Sequence, residues 1–205
     1  LILNINVVII LKMVSSKTAY LELIIGPMFS GKTSRLIDIY KKAKFCDKNI
    51  LVINYTYDQR YSKTELSSHD KIMIPCTQTT DLNSLFSLKT KTGIIDISTL
   101  EIILINEGQF FNNLFPWVSY IIENYPIHIY ICGLDSDYKK QKFGQILDLI
   151  PICDKITKLT SWCALCKNGT PGIYSHRVSK EQEQLVIGNN NYISLCRKCY
   201  SEQNI

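Results

Sequence analysis

The 205-residue chain is 46% hydrophobic and 20% charged, ordinary proportions for a soluble protein with a real core. Its length suits one globular domain, with room for a small appended module. The net charge of +5, with acidic residues spread along the chain, is too mild and dispersed to mark a nucleic-acid-binding surface.

Lysine far outnumbers arginine, which occurs only at Arg35, Arg60, Arg177 and Arg197. With the abundant isoleucine and asparagine, that bias reads as AT-rich coding. The opening Leu1 to Leu11 is apolar but too short to span a bilayer. It also lacks the basic start and small-residue cleavage site of a signal peptide. Residues 1–17 read as an N-terminal extension or an added strand, with Met13 the more plausible start. Nothing argues for secretion, so a cytoplasmic location is expected.

In chain order, Tyr20 to Ile25 is an apolar run ending at Gly26-Pro27, a buried strand. A helix follows from about Lys32 to Phe45, with Leu36, Ile37, Ile39 and Tyr40 as its apolar positions. Asn49 to Asn54 is a second strand, and the polar, aperiodic stretch Asp58 to His69 a loop. Ile102 to Ile105 is a third strand, Leu114 to Glu123 a helix, and Ile127 to Cys132 a fourth strand. Continuous apolar strands alternating with helices predict an α/β fold, its sheet at least partly parallel and covered on both faces. After about Thr160 cysteine, glycine and asparagine dominate. The expected organisation is a catalytic unit over 18–159 and a small domain over 160–205.

Gly26-Pro27-Met28-Phe29-Ser30-Gly31-Lys32-Thr33 is a G-x-x-x-x-G-K-[ST] loop in its required place, between a strand and a helix. Its glycines let backbone N–H groups curl around phosphate oxygens, and the helix N-terminus adds positive potential. Lys32 can reach the β- and γ-phosphates and the Thr33 hydroxyl can ligate Mg²⁺. This motif indicates a nucleoside triphosphate without naming the acceptor. The third strand ends at Asn106-Glu107. P-loop proteins usually place an aspartate here, toward the magnesium shell. Glu107 stands where a base could take a proton from an acceptor hydroxyl, although the residues alone equally allow a solvated strand-end charge.

Of eight cysteines, the last four form Cys163-x2-Cys166 and Cys196-x2-Cys199. Without an export signal, paired CxxC knuckles favour a tetrahedral zinc site over disulfides. The long interval between the pairs is expected to be a loop held at its base by the metal. Cys46, Cys76, Cys132 and Cys153 read as small buried hydrophobes.

Five motifs in one order, from about Tyr20 to Tyr200, resemble the zinc-containing thymidine kinases of the cellular and poxviral type. They are Gly26 to Thr33; Asp58-Gln59-Arg60-Tyr61 with His69-Asp70; Glu107-Gly108-Gln109-Phe110-Phe111; Gly133-Leu134-Asp135 through Phe143-Gly144; and the two cysteine pairs. The resemblance implies a P-loop, RecA-like sheet covered by helices and a C-terminal four-cysteine zinc domain carrying a lasso loop. It also implies a homotetramer that uses Mg·ATP to phosphorylate thymidine to dTMP for DNA synthesis, with dTTP as feedback inhibitor.

By the same resemblance Glu107 is the general base. Asp58, Arg60, Asn106, Gly108 and Gln109 join the P-loop residues around the nucleotide. Tyr138 replaces a phenylalanine that stacks on thymine, and Met28, Leu134 and Ser175 surround the 5-methyl group. Gln184, Leu185, Val186, Ile187 and Gly188 present backbone to the pyrimidine edge, and Tyr192 packs beside it. Cys163, Cys166, Cys196 and Cys199 are the zinc ligands. Two departures stand out. Asn106 replaces the family's aspartate, and the lasso is one residue shorter between Gly188 and Tyr192.

A nucleic-acid-binding ATPase would want a basic stripe on the cysteine module. Residues 160–205 instead mix Lys and Arg with Glu181, Glu183 and Glu202. A regulatory homologue that binds nucleotide with little turnover is the other reading that Asn106 allows. No nucleic-acid or membrane partner is expected.

Overall fold

A computed structural model describes residues 18–56, 65–67, 72–87, 89–90, 93–184, 186 and 191–203. The expected N-terminal extension, Asp58 to Tyr61, His69, Asp70, Leu185 and Ile187 to Asn190 therefore lie outside the described residues.

Six strands form one sheet: β1 (Tyr20–Ile25), β2 (Ile50–Tyr55), β3 (Thr77–Thr79), β4 (Ile102–Ile105), β5 (His128–Gly133) and β6 (Lys155–Lys158). Their spatial order is β6-β1-β5-β4-β2-β3, and every pairing is parallel. From β1 the chain passes outward to β2 and β3, returns through β4 and β5, then crosses β1 to reach β6. The connections leaving the neighbouring strands β1 and β5 therefore meet at a point where they depart in opposite directions. In open α/β sheets ligands bind at such a point, outside the carboxyl ends of the strands.

The strands read as apolar runs because both faces are covered. Leu21, Leu23, Ile25, Ile103, Ile105, Ile129 and Ile131 face one core, shared with helix α2 (Leu114–Asn124). Leu114, Trp117, Val118 and Ile121 recur on one stripe of that helix and are buried against it. Pro116 falls in the first turn, where its missing N–H costs no helical bond. Ile24, Val52, Leu104 and Cys132 face the opposite core, against Leu36 and Ile37 of helix α1 (Lys32–Phe45). Each buried Leu or Ile contributes roughly 1.5–3 kcal/mol.

Strand and helix positions follow the sequence reading to within one residue for β1, β2, β4, β5, α1 and α2. Several other strands escape it. Thr77-Gln78-Thr79 is a polar edge strand with no apolar run, and Lys155–Lys158 is an edge strand with three of its four residues exposed. Glu65–Ser67, inside the expected loop, pairs antiparallel with Met73–Pro75 because Leu66 and Ile74 can bury themselves on the α1 side of the sheet. The cysteine prediction also needs correcting. Cys132 is buried, but Cys46 is exposed and Cys76 and Cys153 are only half-buried.

Beyond the sheet, β7 (Ser161–Trp162) pairs with β8 (Pro171–Gly172) and β9 (Tyr174–Arg177) with β10 (Tyr192–Leu195). The interval between the cysteine pairs is thus part β-ladder rather than all loop. Helix α3 (Arg197–Gln203) follows.

Gly144 has φ of 62°, and a Cβ there would lie 2.0 Å from the carbonyl oxygen of Gln109. Gly144→Ala should destabilise the protein by about 1–3 kcal/mol, from the left-handed conformation and the collision together. A urea unfolding curve with an unchanged midpoint would contradict this.

Candidate active site

The turn after β1 winds onto α1 through Gly31, whose φ of 81° is left-handed, and no side chain caps the helix. The first turn of α1 carries no acidic residue, so its N–H groups and dipole face the loop. The buried Lys32 ammonium donates to the Pro27 carbonyl at 2.6 Å and lies 3.5 Å from Ser30 Oγ. Ser30 Oγ itself donates to the same carbonyl at 2.8 Å. The loop thus wraps its own cation and presents backbone N–H groups, a geometry suited to phosphate.

Asn106 stands one residue past β4 and is 1% exposed. Its Oδ1 accepts from Thr33 Oγ1 at 3.3 Å and from Cys132 Sγ at 2.9 Å, while its Nδ2 donates to Asn54 Oδ1 at 2.8 Å. One amide therefore joins the start of α1 to β2 and β5. Both of its polarities are in use, which a carboxylate could not reproduce.

Glu107 follows with φ 55° and ψ 44°, a left-handed conformation that costs a non-glycine residue of order 1 kcal/mol. Its carboxylate accepts from Gln109 Nε2 at 2.6 Å, and the other end of that amide, Oε1, accepts from Leu134 N at 3.0 Å. Gln109 is buried, so Glu107 is held by a side chain that is itself fixed at both ends. A strained residue with a clamped carboxylate at a strand tip fits a functional position better than a solvated charge.

The C-terminal module is hydrogen-bonded to the P-loop at Met28. Met28 N donates to Ser175 Oγ at 2.9 Å, and Ser194 Oγ donates to Met28 O at 2.6 Å. Ser175, expected beside a methyl group, thus spends its hydroxyl on the P-loop backbone. Tyr138 donates to the Gln182 carbonyl at 2.9 Å, and Gln184 Nε2 donates to Asp137 Oδ2 at 2.8 Å. Tyr192 donates to the Val186 carbonyl at 3.1 Å.

The Sγ atoms of Cys163, Cys166, Cys196 and Cys199 all lie within 4.8 Å of one another. Cys166 Sγ stands 3.7 Å from Cys196 Sγ and 3.4 Å from Cys199 Sγ. A tetrahedron with Zn–S arms of ~2.3 Å has edges of about 3.8 Å, so four thiolates here could hold that ion. Burial opposes ionisation of Cys163, but the backbone N–H groups of Cys166, Cys196 and Leu165 outweigh it and bring the thiol down to about 6. Hydrogen bonds among the thiols move Cys166 and Cys199 the opposite way, so a metal ion would have to displace their protons.

The structure thus brings Gly26 to Thr33, Asn106, Glu107, Gly108, Gln109 and Leu134 together at the carboxyl ends of the strands, with Ser175 held on Met28. Tyr138, Gln184, Val186 and Tyr192 form a second, linked group. Sequence reasoning missed Asn54, Asp137 and Arg177. Arg177 carried a signal: it is one of four arginines in a lysine-rich chain, and guanidinium is retained where a planar fork of donors is needed.

Asn106→Asp would replace the donor facing Asn54 Oδ1 with a buried carboxylate. Ligand-free protein carrying it should lose about 1–3 kcal/mol of stability at neutral pH, the cost of a mispaired buried polar group. Equal urea midpoints for the two proteins would show that Asn54 turns its amide at no cost.

The family model for thymidine kinase matches residues 19–200. The chain is 36% identical over 191 residues to a thymidine kinase of Yaba monkey tumor virus, covering 93% of this chain and 99% of that protein. It is 33% identical over 185 residues to thymidine kinase a of Arabidopsis thaliana, covering 90% and 76%. A thymidine kinase of Bacteroides thetaiotaomicron is 35% identical over 181 residues, covering 88% and 86%. With a family match over nearly its whole described length, and viral, plant and bacterial relatives of this breadth, the chain belongs to the thymidine kinase family.

Proposed function

We propose that this protein transfers the γ-phosphate of ATP to the 5′-hydroxyl of thymidine, giving dTMP, in the cytoplasm. Family membership supports the reaction. The observation that carries its assignment to this site is the Glu107 carboxylate, fixed by Gln109 beside an asparagine bonded to the P-loop threonine.

ATP lies with its phosphates against the backbone N–H groups of the Gly26 to Thr33 loop other than Pro27, and Lys32 moves from the Pro27 carbonyl to phosphate oxygen. Bound Mg²⁺ would neutralise phosphate charge, with Thr33 Oγ1 and Asn106 Oδ1 as hard oxygen donors that fit it. Thymidine places its base on Tyr138 and its 5′-oxygen toward the γ-phosphate, with Met28, Leu134 and Ser175 near the methyl group. Backbone from Gln184 through Leu185, Val186, Ile187 and Gly188 reads the pyrimidine edge, and Tyr192 packs beside it. Glu107 accepts the hydroxyl proton as the oxygen attacks phosphorus in line. Asp58 and Arg60 complete the phosphate environment in this reading.

The four cysteines hold one structural zinc, supported by the closeness of their four sulfurs. No helix among the described residues is long and apolar enough to cross a membrane. Assembly as a homotetramer and feedback by dTTP rest on the family resemblance. The division into a catalytic domain over 18–159 and a zinc-binding lasso domain over 160–205 rests on the composition shift near Thr160 and on the cysteine cluster.

Glu107→Gln keeps the side chain's size but removes its ability to take a proton. Thymidine phosphorylation, followed by coupled assay, should fall by about 10²–10⁴-fold while ATP and thymidine still bind. Retained turnover would remove Glu107 from catalysis, and equal loss of ATP binding would recast it as part of the nucleotide site.

Metal analysis of the purified protein should give one zinc per subunit. Cys163→Ser combined with Cys196→Ser should abolish it, since two thiolates cannot close the tetrahedron. Zinc retained in that double variant would refute the four-thiolate site.

A further inference from the structure

Arg177 ends β9, is only 6% exposed, and has no role in the chemistry above. Its two terminal nitrogens make four contacts. Nη1 donates to the carbonyls of Glu181 at 3.1 Å and of Glu183, and Nη2 donates to the Gln184 carbonyl at 3.0 Å and to the Tyr192 hydroxyl. A guanidinium carries two hydrogens on each of these nitrogens, so all four are matched. The Tyr192 hydroxyl passes the connection on to the Val186 carbonyl at 3.1 Å.

The same guanidinium lies over the Tyr138 ring, its carbon 3.8 Å from the ring centroid. The Tyr138 hydroxyl donates back to the Gln182 carbonyl, and Asp137 accepts from Gln184 Nε2. Asp137 is fixed in turn by the N–H groups of Lys139 and Gln141, both at 2.9 Å from its Oδ1. One cation thus gathers the start of a loop around itself and backs one face of an aromatic ring. Lysine could not do both, lacking the planar fork.

We propose that Arg177 is a positioning residue for nucleoside binding, setting the segment from Glu181 to Gln184 and the Tyr138 plane so that a pyrimidine stacks on the ring face opposite the guanidinium. This rests on the reading of Tyr138 and the lasso as the nucleoside site. Its physical content is preorganisation: the segment's carbonyls are turned inward before any ligand arrives, so binding need not order them. Loss of the fork lowers the fraction of protein that is ready to bind, and apparent affinity falls with that fraction.

The test compares wild type with Arg177→Met, which keeps an apolar stem, and Arg177→Lys, which keeps the charge. KM for thymidine should rise about 10–100-fold in both, while kcat and KM for ATP move less than about threefold. Glu-C protease, cutting after Glu181 and Glu183, should cleave both variants about tenfold faster, as the opened segment becomes more populated. Zinc content should not change.

An unchanged thymidine KM with unchanged cleavage overturns the proposal. So does a parallel loss of kcat, ATP affinity and zinc, which would make Arg177 a general support of the fold. If Arg177→Met does not fold, Arg177→Lys carries the same comparison. A wild type without thymidine kinase activity would refute the proposed function, while the protease comparison would still decide whether Arg177 orders the segment.

Discussion

The buried carboxamide of Asn106 is the constraint on which the carboxyl end of the sheet depends. It accepts from Thr33 at the start of α1 and from Cys132 on β5, and donates to Asn54 on β2. Three elements that meet at the switch of the sheet are thus registered by one side chain with no net charge. Groups sealed from water must each find a partner, so the node holds only while all its bonds are made together. An aspartate in its place would therefore change more than the charge offered to a cation. It would alter what holds the strand tips in place.

Around this node the site is built by close approach. Glu107 turns into a left-handed conformation immediately after the strand, and Gln109 ties its carboxylate to the backbone of Leu134. A Cβ on Gly133 would lie 2.4 Å from Gln109 Oε1, and one on Gly144 would meet the Gln109 backbone. The small residues flanking the motif are therefore the walls that fix this glutamine. Orientation here comes from packing as much as from hydrogen bonding, which favours a site held rigid before ligand arrives.

Much of the fold was legible because two cores flank the sheet. Burial on both faces writes central strands as apolar runs and helices as periodic stripes, and β1, β4, α1 and α2 show this. Edge strands escape because exposure erases that signature, as Thr77–Thr79 and Lys155–Lys158 demonstrate. Within the site, motif chemistry located the P-loop, the Asn106-Glu107 tip and the four cysteines. Cys132 and Asn54 could not be read this way. Their roles come from which strand ends sit side by side, and one sequence does not state that order. For Arg177 the rarity of arginine was the one signal, since its partners are mostly backbone carbonyls, which no residue pattern encodes.

Met28 is gripped on both sides of its peptide, its N–H by Ser175 and its carbonyl by Ser194. That residue sits inside the phosphate loop, while the two serines face each other on the paired strands β9 and β10. Motion of the loop must therefore be shared by the ladder. Such a joint is a route by which ligands on either side of it would couple their affinities. Whatever factor one ligand imposes on the other, the other must return in equal measure.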